Sequence, residues 1–326
     1  MKKFFAFAIA AVTMTVGCQK IQDLVNPNAS VDDTDLVEIK FSSNIATVET
    51  KSAVTELTTV NVYGINGTTA QAQLKDTRYF INTPATATND AGTYKLTLDK
   101  TYFYNGKTDK YSFYGYFLDA AVAGTGLDAE PYQATVTITG EEDILLASAA
   151  GNGTYCGDEA ETNGLQPSLE FNHALSQFQF EAQNMGKAAI KLEAISIATP
   201  QTGTMDVLAS TVTAGTDDGT IDVGMTALEL GAENGAFEVV KDAANANGAL
   251  AMVMPNATYK ITFTVSQGTE TRTLTQPVVT TINAGTAYKF QIKLYSLTAI
   301  ELTATLTPWG SAQEVEFDTS NAIENN

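Results

Sequence analysis

The sequence predicts an all-β protein of antiparallel sheets packed as sandwiches, and three observations carry that prediction. Thr, Val, Ile, Tyr and Phe are abundant, while long Ala/Leu/Glu/Lys helical patterns are missing. Several segments alternate apolar and polar residues with a period of two, giving one dry face and one wet face. Turn-forming pairs recur at short intervals, among them Asn66-Gly67, Asn105-Gly106, Asn163-Gly164, Asp218-Gly219 and Asn247-Gly248. About 275 residues follow Lys51, enough for two domains of ordinary size.

The chain opens with Lys2 and Lys3 and then a short, mostly apolar run from Phe4 to Val16. A helix needs about 20 such residues to cross a bilayer, so this run has the length of a secretory signal instead. Gly17 and Cys18 end it with a small residue and a thiol, which resembles the bacterial lipobox, in which the cysteine is acylated and residues 1–17 are removed. Thr15 stands where that pattern usually has leucine. The alternative is an ordinary signal peptide with an incidental cysteine. Either way the protein is expected to be exported.

Residues 18–51 read as a propeptide. A polar, acidic tether over 19–35 precedes Val37, Ile39 and Phe41, which alternate with Glu38 and Lys40 as a strand would. Lys51 then offers a basic cleavage site before Ser52. This is lipid anchor, tether, one strand and a point at which that strand could be cut away. The formal net charge is −19 and becomes −21 without Lys2 and Lys3. So acidic a surface repels nucleic acid and anionic lipid, and neither is an expected ligand.

Strands are expected at 59–65, 78–82, 93–98, 110–118 and 134–139 in a first unit covering 52–173. Tyr111, Phe113, Tyr114, Tyr116 and Phe117 fall on both faces of one strand, which should therefore be central and covered on each side. Glu141, Glu142 and Asp143 are adjacent acids with no partner histidines or spaced aspartates, so a solvated turn is expected rather than a metal site. Cys156 lies in a glycine-rich loop, and the chain has a single histidine, His173. A structural cysteine and a hydrogen-bonded core histidine are expected rather than catalytic groups. Leu169, Phe171, His173 and Leu175 share odd parity, whereas Phe178 and Phe180 are even. A β-bulge or a sheet-to-sheet crossing near Ser176 and Gln177 would explain the change and mark a junction between two domains.

A second unit, 174–326, is expected to carry strands at 189–198, 237–240, 249–254, 259–265, 287–294 and 299–306. Trp309 is expected to plug the core or a domain edge. The tail alternates once more through Val315 and Phe317. It is either the last edge strand of its own sheet or a donor for another molecule.

The acidic turn followed by Ile144, Leu145, Leu146 and Ala147 resembles the fimbrillin family of type V pili. So do residues 169–175 with the apolar strand that follows, Thr307-Pro308-Trp309-Gly310, and the lipobox. The resemblance implies two transthyretin-like antiparallel β-sandwich domains in tandem and export as an outer-membrane lipoprotein precursor. It also implies removal of the first strand by a trypsin-like protease and its replacement by a strand from the next subunit. Partners would then be other copies of the chain and related pilus subunits on the cell surface. The best-known members are cut after arginine, whereas the candidate here is Lys51.

Three functional classes are thus in view: a structural pilus subunit (shaft, tip or anchor), a surface lipoprotein adhesin for glycan or host ligand, and a secreted enzyme. No catalytic constellation, cofactor or metal motif is legible, so no enzymatic role is expected.

Overall fold

The computed structural model describes residues 38–45, 56–66, 79–103, 110–119, 123–125, 133–152, 166–217, 219–233, 236–241 and 249–308. Among them the regular structure is entirely β, as the alternation and turn spacing predict. In chain order the first strands are β1 (Phe41–Ile45), β2 (Thr59–Asn66), β3 (Tyr79–Asp90), β4 (Thr93–Leu98) and β5 (Lys110–Leu118). Next come β6 (Ala123–Thr125), β7 (Gln133–Thr137), β8 (Ile144–Asn152), β9 (Ser168–His173) and β10 (Ser176–Asn184). Then follow β11 (Ile190–Thr199), β12 (Thr202–Asp206), β13 (Thr211–Ala214), β14 (Gly219–Asp222), β15 (Leu228–Leu230) and β16 (Glu238–Val239). The last are β17 (Leu250–Val253), β18 (Tyr259–Gln267), β19 (Glu270–Val278), β20 (Thr286–Ser296) and β21 (Ala299–Pro308).

Seven strands close into a barrel in the order β1-β4-β3-β2-β5-β8-β9. Its interior is a core of Phe41, Val60, Val62, Ile81, Leu96, Phe113, Leu145, Leu169, Phe171 and their neighbours. Strand β5 is a wall with two dry faces. Tyr111 and Phe113 point into the barrel, whereas Tyr114 and Tyr116 belong to the neighbouring core on the outside. Close approach requires Gly115 here, because a Cβ on it would lie 2.8 Å from the Phe171 ring.

The second core joins the barrel's outer face to three further sheets. Strands β16, β10, β20 and β21 form one sheet, with β17 also on β10. Strands β14, β11, β18 and β19 form another, with β15 on β11. A smaller sheet runs β13-β12-β7-β6. The apolar rows of two alternating strands are buried: Tyr259, Ile261, Phe263 and Val265 on β18, and Tyr288, Phe290, Ile292 and Leu294 on β20. Phe178 on β10 meets Tyr259 across the gap between sheets at 5.4 Å, and packs on Phe290 at 4.7 Å.

Two pairings depart from the antiparallel expectation. Strands β1 and β9 run parallel, and β10 and β20 run parallel over eight residue pairs from Gln177–Ala287 to Asn184–Leu294. Side-chain alternation reports which face is dry; it carries no information on strand direction.

Of the two explanations for the parity change, the sheet crossing is the one that occurs. The chain leaves the barrel at His173, passes Ala174 and Leu175, and enters a different sheet at Ser176. His173 is the expected core histidine, 5% exposed, with Nδ1 2.5 Å from an Asp143 carboxylate oxygen.

The acidic turn corrects the sequence reading. Only Glu141 is exposed; Glu142 and Asp143 are buried. The Glu142 carboxylate accepts from the Thr139 amide at 2.7 Å, the Thr139 hydroxyl at 2.6 Å and the Gly140 amide at 3.0 Å. Asp143 accepts from the Ile144 amide at 2.8 Å. Glu142 staples the turn between β7 and β8 to itself, and Asp143 ties it to His173 on β9. Gly140 is obligatory in it, with φ 113° and Ile221 2.3 Å from where a Cβ would sit.

Two outcomes follow. Phe178→Ala is expected to destabilise the protein by about 3–5 kcal/mol, the usual range for deleting a buried phenylalanine, read as a fall in the denaturant midpoint. For Glu142, burial raises the carboxyl pKa, but the hydrogen bonds from Thr139 and Gly140 outweigh it and hold the pKa below the ordinary value. A depressed native pKa stabilises above the unfolded carboxyl's pKa, and that contribution is lost as pH falls through the native value. The stability gap between wild type and Glu142→Gln is therefore expected to be largest near neutrality and to shrink on acidification, measured as urea midpoints across pH.

Candidate strand-exchange site

Strand β1 is the piece of the barrel that comes from the segment the sequence marks as removable. On one side it pairs antiparallel with β4 through Phe41–Leu96, Ser42–Lys95 and Ser43–Tyr94. On the other it runs parallel to β9 through Ser42–Ser168, Ser43–Leu169, Asn44–Glu170 and Ile45–Phe171. Ile39, Phe41 and Ser43 form its buried row, at 5%, 4% and 1% exposed, and Ile45 packs partly against the same core. The Phe41 ring meets Phe113 edge-on at 5.1 Å. Burying Ile39 and Phe41 supplies about 1.5–3 kcal/mol each, so the strand is a working part of the core.

The entry to β1 is clamped by backbone-directed bonds. The Ile39 amide donates to the Tyr102 carbonyl at 2.9 Å. The Gln166 side chain imitates a neighbouring strand: its oxygen accepts from the Lys40 amide at 2.6 Å and its nitrogen donates to the Glu38 carbonyl at 2.9 Å. Lys40 points outward and pairs only loosely with Glu38 at 3.5 Å, both side chains half exposed. Such a surface pair contributes little.

The strand itself lies later than the alternation implied. The regular ladder spans Phe41–Ile45, and residues 38–40 join only through a single bridge between Glu38 and Phe103 and the clamp described above. A search for alternating apolar residues stops at Phe41 because Ser43 takes the next inward position. Ser43 is also a weak point: its Oγ is buried with no hydrogen-bond partner.

Gly17, Cys18, Val37, Lys51, Ser52, Cys156, Trp309, Val315 and Phe317 lie outside the described residues. The structure therefore gives the slot and most of its present occupant. An open cleft of about 450 Å³ lies beside the β8–β9 join, with Glu170, Asn172, His173, Ser210 and Asn256 in its lining. Among the described residues that lining carries no Phe, Tyr or Trp ring. Among the described residues no grouping of His, Cys, Asp or Glu is arranged to hold a metal ion.

The fimbrillin-like family matches residues 46–309. That is most of the chain. The protein belongs to the fimbrillin-like family. The match begins one residue past β1 and ends at Trp309. Solved structures share the fold at low identity. A candidate cell adhesion protein of Bacteroides uniformis aligns with TM-score 0.54 and 18% identity, over 84% of this chain and 98% of its own. One from Bacteroides ovatus gives 0.52 and 14%, over 84% and 98%. One from Parabacteroides distasonis gives 0.51 and 11%, over 85% and 99%. Comparison with curated proteins finds no match. Family membership makes this a pilus-related protein of the cell surface.

Ser43→Ala removes the unpartnered hydroxyl while leaving the strand's backbone bonds. It is expected to raise the stability of the uncleaved fimbrillin-like chain by about 1 kcal/mol, seen as a higher urea midpoint.

Proposed function

We propose that this fimbrillin-like protein is a structural subunit of a bacterial surface pilus, in the role of shaft. In this reading it is exported as a lipoprotein precursor acylated on Cys18, held at the outer membrane by that lipid, and cut by a trypsin-like protease between Lys51 and Ser52. It then polymerises by strand exchange with other copies and related subunits. We further propose that it is organised as two transthyretin-like sandwich units in tandem, dividing between His173 and Ala174, with the ladder between β7 and β12 crossing the division.

One observation carries the reading: β1 closes the barrel between β4 and β9, and it precedes the cleavage site in the chain. Removing it opens two strand edges over the apolar floor of Leu96, Phe113, Leu169 and Phe171. An open edge above a dry floor is costly alone and templates an added strand, whose main-chain bonds give affinity and whose alternate side chains give register. Donation from one copy into the next is a head-to-tail contact that does not close on itself, so it builds filaments.

The test is a gel of unboiled polymer ladders after trypsin treatment, with amino-terminal sequencing of the product. Wild type is expected to start at Ser52 and to form ladders. Lys51→Ala is expected to keep β1 and stay monomeric, and deletion of residues 313–326 is expected to cleave without polymerising. Normal ladders from Lys51→Ala would refute cleavage at that bond, and ladders from the tail-deleted chain would place the donor elsewhere. For the anchor, labelled palmitate is expected on wild type and not on Cys18→Ala; equal labelling would exclude Cys18.

A further inference from the structure

The open cleft of about 450 Å³ lies where the barrel meets the sheets beyond it. On the barrel side it is lined by Ser148 of β8 and by Glu170 and Asn172 of β9. Glu170 and Asn172 alternate with Leu169 and Phe171, which fill the barrel, so they stand on its outer face. Three turns outside the barrel complete the lining. The β12–β13 turn brings Ser210, the β17–β18 turn Asn256 and the β19–β20 turn Ala284. The volume is that of a small-molecule site, and such sites favour junctions of this kind.

Each turn is held by a buried polar side chain. The Asp206 carboxylate accepts from the Ala209 amide and from the Gln133 side chain, both at 2.8 Å. The Tyr259 hydroxyl donates to the Met254 carbonyl and accepts from the Ala257 amide at 3.1 Å. The Tyr288 hydroxyl accepts from the Asn283 amide at 2.7 Å and donates to the Thr281 carbonyl at 3.2 Å. The Asn256 amide then ties two turns together through the Ile282 carbonyl at 2.8 Å. Within this fixed frame Ser210 and Asn256 have φ of 52° and 54°, two of the four non-glycine residues in the left-handed region among the described residues. Backbones of that kind cost energy and gather where ligands are held. Ser210 Oγ is also buried without a hydrogen-bond partner, an unmet demand in the cleft wall.

The lining has a definite chemistry. The hydroxyls of Ser148, Ser210 and Thr211 donate and accept, the Asn172 and Asn256 amides do each at separate atoms, and the Glu170 carboxylate accepts. Leu146, Val212 and Pro255 add aliphatic surface, and among the described residues no Lys or Arg lines the cleft. We infer that this cleft binds a short neutral oligosaccharide. A sugar presents adjacent hydroxyls, each donor and acceptor, beside weakly apolar C–H faces, and this wall answers both. A sulfated or uronic ligand would set an anion against Glu170 with no base in the lining to pair it. Peptide partners are anchored by large side chains in desolvated apolar pockets, whereas three aliphatic residues larger than alanine line this open cleft. The inference does not rest on strand exchange, because Glu170 and Asn172 stand on the face of β9 opposite the barrel floor.

The test applies the uncleaved full chain to a glycan array carrying neutral oligosaccharides and their sulfated counterparts, with the strongest neutral binder then titrated by saturation-transfer NMR. Neutral glycans are expected to bind, and the sulfated forms at least about tenfold more weakly. Asn172→Ala and Asn256→Gly are each expected to weaken binding about three- to tenfold, the cost of one hydrogen bond. The urea midpoint is expected to hold, since Asn172 is exposed and glycine accepts the backbone of Asn256. Glu170→Lys is expected to reverse the preference between neutral and sulfated forms, which a merely structural residue would not do. Absence of any glycan bound by wild type overturns the inference, as does a preference of wild type for sulfated forms. Binding left unchanged by both Asn172→Ala and the cleft-filling Ser148→Trp places the glycan elsewhere and also overturns it. Capture from a hexapeptide library that Ser148→Trp abolishes, with no glycan bound, makes the cleft a peptide site instead.

Discussion

The barrel closes through a strand that no hairpin holds. Strands β2 and β3, β3 and β4, β2 and β5, β5 and β8, and β8 and β9 pair antiparallel in sequence-near steps. Only β1 brings β4 and β9 together, and its contact with β9 joins residues more than 120 positions apart. The core inside depends on that closure, because Phe41 covers Phe113 and Ile39 joins the same cluster. A parallel pairing is also slightly less stable per residue than an antiparallel one. The structure thus rests on a seam whose filler is buried but topologically loose.

Beyond the barrel wall the arrangement is firmer. Tyr63 and Tyr116 stack at 6.1 Å on the barrel's outer side and share a core with Val136, Phe178, Phe263 and Phe290. Strand β7 pairs with β12, and the chain passes from β9 to β10 beside the buried Asp143–His173 contact. Opening the seam at β1 exposes the β4 and β9 edges while this second core, on the far side of β5, keeps its contacts. In the proposed exchange, that separation is what would keep the rest folded when one strand is removed.

Much of this was legible because large apolar residues alternate where one face is wet. The rows on β18 and β20 fall where the alternation places them, and the jump in parity between Leu175 and Phe178 marks a real change of sheet. Strand β8 was hidden for the opposite reason: Ile144, Leu145, Leu146 and Ala147 are dry on both faces, so nothing alternates. Strand β19 was hidden because its residues 270–273 are exposed on both faces. The slot was half legible. Ile39 and Phe41 announced the strand, but Ser43 concealed its continuation, and Gln166, a side chain acting as a piece of backbone, has no pattern to find. The buried acids were misread because a carboxylate's satisfaction by local amides depends on how the turn folds back, which composition does not record.

In the proposed exchange, position in the chain is what singles out β1 as the strand to leave. Releasing any interior strand of the barrel requires two cuts and leaves both neighbours tied to it through their loops. A strand that precedes all the others among the described residues needs one. Its side chains still have to leave a dry core, and Ile39 and Phe41 together oppose this by several kcal/mol. Cleavage alone therefore does not empty the slot; it turns an intramolecular occupant into one that a competing strand can displace. The unpartnered Ser43 hydroxyl makes the buried strand less favourable than its apolar row alone would. In the proposed exchange, cleavage removes the tether, and the edges of β4 and β9 over a dry floor template the replacement.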